Sequence, residues 1–142
     1  MFNPTRNEAR QFLFDAWQKY RDKAILTDLE ALAADHILRH PEYHKLLEDP
    51  DGSLERDWRP ENGETNPFLH LMMHLSITEQ LSIDQPPGIR SRYQALVRKL
   101  GDEHDAMHET MDCLAEMIWT SQRHGTPPDG AAYIACMEKK AR

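Results

Sequence analysis

The stretch 66–88, NPFLHLMMHLSITEQLSIDQPPG, decides the fold. Asn66 followed by Pro67 is a helix start, a capping side chain and then a residue whose fixed φ suits the first helical position. The residues after it are apolar around most of a helical circumference. A helix without a wide polar face has to be covered, so this segment, about 66–84, is expected to be the central and most buried helix. Asp84-Gln85-Pro86-Pro87-Gly88 ends it, because proline lacks the amide proton that the next turn needs.

Toward the C-terminus, Ile89, Tyr93, Leu96, Val97 and Leu100 recur at helical spacing up to a break at Gly101-Asp102. Asp102 is placed to cap the last long helix, which runs to Gly125, a residue type that commonly follows a helix end. Thr126-Pro127-Pro128-Asp129-Gly130 then precedes a short amphipathic segment with Ala132, Tyr133, Ala135 and Cys136. Toward the N-terminus, Thr27 and Glu30 form a capping box at the head of a helix whose apolar face is Leu29, Leu32, Ala33, His36 and Ile37. His36 therefore points inward. Pro41 stops that helix and opens a short one reaching about Glu48. The first helix is expected to start at Asn3-Pro4 and to bury Phe12, Leu13, Ala16, Trp17 and Tyr20. Residues 48–66 form a long polar connection with seven acidic side chains against Arg56 and Arg59, and Trp58 within it points to a segment packed on the body. No segment reads as a strand. The expectation is an all-α helical bundle of about five to seven helices around the 66–84 helix, with a four-helix-bundle-like core, in a single domain spanning 1–142.

The chain has 142 residues, with 17 Lys and Arg against 24 Asp and Glu, for a net charge of −7. That balance disfavours phosphate backbones and anionic lipid surfaces, so neither nucleic acid nor membrane is an expected partner. Residues 1–6 lack the basic-then-apolar pattern of a secretory leader, and the expected location is cytoplasmic. Cys113 and Cys136 are too few and too far apart in sequence for a disulfide framework or a thiolate zinc site, and both are expected as reduced thiols.

Histidine stands out. Eight are present, and the pattern HxxxH occurs four times, at His36/His40, His40/His44, His70/His74 and His104/His108. A random scatter of eight would give roughly 0.4 such pairs, by simple counting of matches to the template. Residues at i and i+4 share one helix face, so both imidazoles of a pair can reach one metal ion. On the last long helix, His104, His108 and Asp112 form a ladder continued by Ala115 and Trp119, and Asp112 could be a third ligand or the carboxylate that orients a histidine. His40 precedes Pro41, so its pair with His44 straddles a helix start, and His36 is the better candidate from that region. The expected metal residues are therefore His70, His74, His104, His108, His36 and Asp112. Neither HExxH nor the Glu-x-x-His signature of di-iron bundles is present around them, and the mixed donors suit zinc, iron or manganese alike. No phosphate loop or nucleophile elbow is found. The competing reading of each histidine is a core imidazole hydrogen-bonded to a carbonyl or carboxylate.

Taken together, FLFDAWQKYR, HPEYHKLLED, NPFLHLMMHLSITEQLSIDQPPGIR, GDEHDAMHETMDCLAE and WTSQRHGTPPDGAAY resemble the proteobacterial family catalogued as domain of unknown function eighteen forty-one. The resemblance implies a small helical bacterial protein and supplies no reaction. The residues themselves lead to a bundle whose central and last long helices face each other through His70/His74 and His104/His108, with His36 completing a metal site. Such a site suits a metal-dependent hydrolase or oxidoreductase. The alternative is a non-enzymatic interaction or adaptor protein whose histidines are satisfied core groups, with the acidic 48–66 connection as its contact surface. Whether the partner is a small-molecule substrate or a protein is left open by the residues.

Overall fold

The computed structural model describes residues 5–58 and 66–142, which form helices and turns with no strand among them. In chain order the helices are α1 (Arg6–Arg21), α2 (Asp28–Leu38), α3 (His44–Leu47), α4 (Pro50–Ser53), α5 (Pro67–Ile83), α6 (Ile89–Leu100), α7 (Glu103–His124) and α8 (Gly130–Lys140), with a 3-10 turn at Pro41–Tyr43. The protein is all-α, as expected. The expected short helix after Pro41 is a 3-10 turn followed by α3, and the one helix beyond the expected range, α4, is a single turn too short to show a periodicity. Among the described residues, no helix is long and apolar enough to cross a membrane. The backbone divides into two compact units, Met1–Leu75 and Ser76–Arg142, with α5 running from the first into the second.

In the first unit α1 packs on α2. Asn3 and Pro4, the expected start of α1, lie outside the described residues. The cap is Thr5, whose hydroxyl accepts from the Glu8 amide while the Glu8 carboxylate accepts from the Thr5 amide. Thr27 and Glu30 make the same reciprocal box at α2, at 3.2 and 2.9 Å. Glu30 is buried, and Lys19 of α1 donates to it at 2.8 Å. The core comprises Leu13, Phe14, Ala16 and Trp17 of α1, Ala33 and Ile37 of α2, Leu47, and Phe68, Leu71 and Leu75 of α5. Two expected core residues, Leu32 and Tyr20, are exposed instead. Ala34 and Phe14 take the inward positions, because the buried arc of each helix is rotated from the one that hydrophobicity alone selects. Tyr20 lies stacked on Trp17 with ring centroids 5.5 Å apart.

From Glu48 to Trp58 the connection packs on the body. It is held by a residue that the apolar pattern passes over, Arg10, which is 3% exposed on α1. Its guanidinium donates to the Leu54 and Arg56 carbonyls at 2.7 and 2.8 Å and lies over the rings of Phe68 and Trp58. A buried cation of this kind is held by carbonyls and aromatic faces. Trp58 also meets Phe68 edge-on at 5.5 Å, as a packed segment requires. Residues 59–65 of the connection lie outside the described residues.

In the second unit α6, α7 and α8 pack on one another. Gly101 and Gly125 close α6 and α7 with φ of 73° and 62°, values that favour glycine. Asp102 and Asp129 cap α7 and α8 by accepting from the amides of His104 and Ala132. The buried pair on α8 is Tyr133 and Met137, one turn apart, while Ala132 and Ala135 are exposed, contrary to the expected face. Tyr133 donates from its hydroxyl to Gln80 at 2.8 Å.

The cysteines correct the sequence reading. Cys113 of α7 and Cys136 of α8 are disulfide-bonded, with Cα atoms 5.8 Å apart. Their separation of 23 residues shows no motif, and only the packing of α8 along α7 brings the sulfurs together. Disulfides are rare in reducing compartments, so the bridge removes one support for a cytoplasmic location.

Thr27→Ala should lower stability by about 1 kcal/mol in urea unfolding, the usual cost of a lost cap. Its partner Glu30 has a carboxyl held below its ordinary value, chiefly by the Lys19 hydrogen bond. That contribution is present above the unfolded carboxylate range and lost as pH falls through the folded value, so Glu30→Gln should flatten the acid limb of the stability curve. Separately, thiol titration of the denatured, unreduced chain should find no free thiol. Reduction should cost about 3 kcal/mol, the loop-closure entropy for a loop of this length.

Candidate metal centre

The site begins where α2 stops. The end of α2 is closed by tightened backbone bonds, the Arg39 amide donating to the His36 carbonyl at 3.2 Å and the His40 amide to the Ile37 carbonyl at 3.0 Å. Each carbonyl has a second lone pair, and histidine side chains donate to both. The His40 ring donates from Nδ1 to the His36 carbonyl at 2.7 Å, and the His44 ring donates from Nε2 to the Ile37 carbonyl at 2.9 Å. A carbonyl only accepts, so each contact places the ring proton. In neutral His40 it sits on Nδ1, which leaves the lone pair on Nε2.

The His40 Nε2 is directed at α5. There His70 and His74, one turn apart, present their own Nε2 atoms on the same face. His70 Nε2 lies 3.2 Å from His40 Nε2 and 3.1 Å from His74 Nε2, and the three nitrogens are all within 4.8 Å of one another. A tetrahedral ion with metal–nitrogen bonds of about 2.0–2.1 Å holds its ligands about 3.3 Å apart, so the observed spacing suits donors of one ion. Hydrogen bonding serves the same arrangement poorly. His70 Nε2 faces a nitrogen on either side, yet a ring nitrogen carries either one proton or one lone pair.

The surroundings are aromatic and mostly dry. His40 and His74 are buried and His70 is half-buried. The Tyr43 ring lies parallel to that of His40 at 5.3 Å, and burial raises its phenol above the ordinary value. His36 stacks on His74 at 4.9 Å, and burial pushes its imidazole down to about 4. It is therefore a neutral ring at pH 7 that braces one histidine with its face and orients another with its carbonyl.

Of the residues singled out from sequence, His70 and His74 come together with His40, and His36 stands beside them. His40 was passed over for His36 because it precedes Pro41. His40 lies four residues after His36, so its ring can reach back to the carbonyl one turn earlier, and this is the signal that could have found it. His44 is turned away to the Ile37 carbonyl, with its ring 4.4 Å from that of Trp17. In the second unit, His104 and His108 of α7 form an edge-to-face pair with centroids 4.2 Å apart. On the same helix His104 and Asp112 are exposed, as are Ala115 and Trp119 further along that stripe.

A family model described as "Domain of unknown function (DUF1841)" matches residues 5–139, nearly the whole chain. No curated protein and no solved structure matches it.

The geometry makes a prediction for metal-free protein. Nitrogen-15 NMR should find His40 as the Nδ1-protonated tautomer and His36 neutral until pH falls toward about 4. Since unfolded His36 takes up a proton near its ordinary 6.5 and folded His36 does not, stability should fall as pH drops from about 6.5 to about 4. His36→Phe should remove that component.

Proposed function

The chain belongs to this DUF1841 family, whose description assigns no reaction, and from its own residues we propose that it is a metalloprotein whose first unit holds one divalent ion on His40, His70 and His74. The observation that carries the reading is the cluster of three Nε2 atoms, of which two spacings, 3.2 and 3.1 Å, are those of ligands of one ion. The hydrogen bond from His40 Nδ1 to a backbone carbonyl supports it, because metal-bound histidines characteristically donate their second ring nitrogen in this way and so gain basicity and a fixed orientation. Neutral nitrogen donors suit zinc and also iron, nickel or copper; manganese, with its preference for oxygen, fits this triad less well.

The chemistry follows from the donor count. Three imidazoles leave a coordination position for a water or a substrate oxygen, and an ion so held supplies Lewis acidity. That points to a metal-dependent hydrolase, with an oxidoreductase if the resident ion is iron or copper. The protein's own contribution is to orient the rings. The His36 carbonyl sets the His40 tautomer, the His36 face limits rotation of His74, and Tyr43 covers the outer face of His40.

Elemental analysis of tag-free protein, followed by cobalt titration of the stripped form, tests this. The expected result is about one equivalent per chain, with visible absorption typical of nitrogen-ligated cobalt. His40→Ala and His70→Ala should each weaken binding by at least 100-fold, beyond the 10–100-fold usual for loss of an outer-shell partner. Circular dichroism should stay unchanged, and His44→Gln should still bind. Binding should weaken in acid as the ligand imidazoles protonate. Absence of binding to zinc, iron, nickel or copper, or unchanged stoichiometry in His70→Ala, would overturn the reading in favour of satisfied core histidines.

A further inference from the structure

The second unit carries a separate chemical feature, the Cys113–Cys136 bridge and the cavity beside it. The two sulfurs are unequally placed. Cys113 is 1% exposed, while Cys136 is half-buried on α8. A pocket of about 170 Å³ opens onto the bridge and is lined by both cysteines, by Glu116 and Thr120 of α7, and by Asp129 and Tyr133. A cavity of roughly 150 Å³ accommodates a benzene ring, so this one has room for a small organic molecule. Thiol–disulfide exchange requires a thiolate to reach one sulfur of the bridge, and access decides which. Here that sulfur is Cys136.

The walls also select by charge. Glu116 Oε2 lies 3.8 Å from Cys136 Sγ, Asp129 is the other carboxylate on the wall, and no basic side chain lines the pocket. Like charges repel and opposite charges attract strongly in a concave site. A thiol bearing an ammonium group is favoured there, and one bearing extra carboxylates is disfavoured. Opening the bridge need not release α8. Tyr133 remains buried and bonded to Gln80, Glu138 accepts from Arg92 at 2.8 Å, and Lys140 pairs with Glu109.

We propose that this pocket is a thiol-exchange site for a small cationic aminothiol, which attacks Cys136. In the first step the thiolate sulfur bonds to Cys136 Sγ, the Cys113–Cys136 bond breaks, and its electron pair leaves on Cys113 Sγ, which takes a proton from solvent. A second aminothiol attacks the sulfur of the first, releasing the symmetric disulfide and leaving Cys136 as the thiol. Two thiols are oxidised and the protein bridge is reduced by two electrons. This site is independent of the proposed metal centre, and its test is run with a chelator present.

The native protein is incubated with cysteamine or with glutathione at equal concentration, quenched by alkylation and read by intact mass and peptide mapping. The expected result is a cysteamine adduct mapping to Cys136, formed at least tenfold faster than the glutathione adduct. Glu116→Gln should narrow that preference. With cystamine as the reagent, Cys113→Ser should be labelled at Cys136 and Cys136→Ser should stay unlabelled. Reduction that proceeds only at the rate of global unfolding measured by urea jump, an adduct on Cys113, or glutathione as fast as cysteamine would overturn the proposal. Should a single-cysteine variant fail to fold, the adduct mapped on the native chain decides alone.

Discussion

A helix with hardly any polar face cannot remain at a surface, and α5 is such a helix. Of its residues only Leu69, Ser76, Ser82 and Ile83 are exposed. In the first unit Phe68, Leu71 and Leu75 join the α1 and α2 core, and in the second Ile77 is fully buried. Burying each such side chain is worth roughly 1.5–3 kcal/mol, far more than a cap or a surface ion pair supplies. The remaining elements are therefore arranged to cover apolar surface first. Polar groups caught in that covering must find partners or a function.

Histidines are the polar groups so caught. On α5, His70 and His74 occupy inward positions that Leu or Ile would fill at no electrostatic cost. They meet a third ring whose direction is determined by an interrupted helix. α2 ends before Pro41, the His36 carbonyl accepts from His40 Nδ1, and the remaining Nε2 is aimed at the α5 pair. A backbone carbonyl thus sets the tautomer of a candidate ligand. The rings of His36 and Tyr43 pack against this group, and a polar cluster so enclosed is costly unless its members find partners.

The second unit solves a different problem by covalent means. Only two side chains of α8, Tyr133 and Met137, are fully buried. The Arg92–Glu138 and Glu109–Lys140 contacts hold α8 beside that small apolar face, and the Cys113–Cys136 bridge adds to them by removing chain entropy from the unfolded state. The bridge and the histidine triangle draw on different chemistry, imidazole lone pairs in one unit and sulfur in the other.

Local rules were enough to read much of this from sequence. The helix starts at Thr27 and Asn66, the stops at Pro41, Gly101 and Gly125, the all-α class and the pairing of His70 with His74 each depend on residues within one turn, where sterics and hydrogen bonding leave few choices. Which arc of α1 and α2 turns inward, the burial of Arg10, the approach of His40 Nε2 to His70 and the joining of Cys113 to Cys136 depend on what lies across from each residue. Those contacts link residues as far apart as Arg10 and Phe68, and no spacing rule records them. Sequence alone determined where the chain turns and which chemistry it carries. Tertiary structure decided which groups meet, because only packing brings distant groups together.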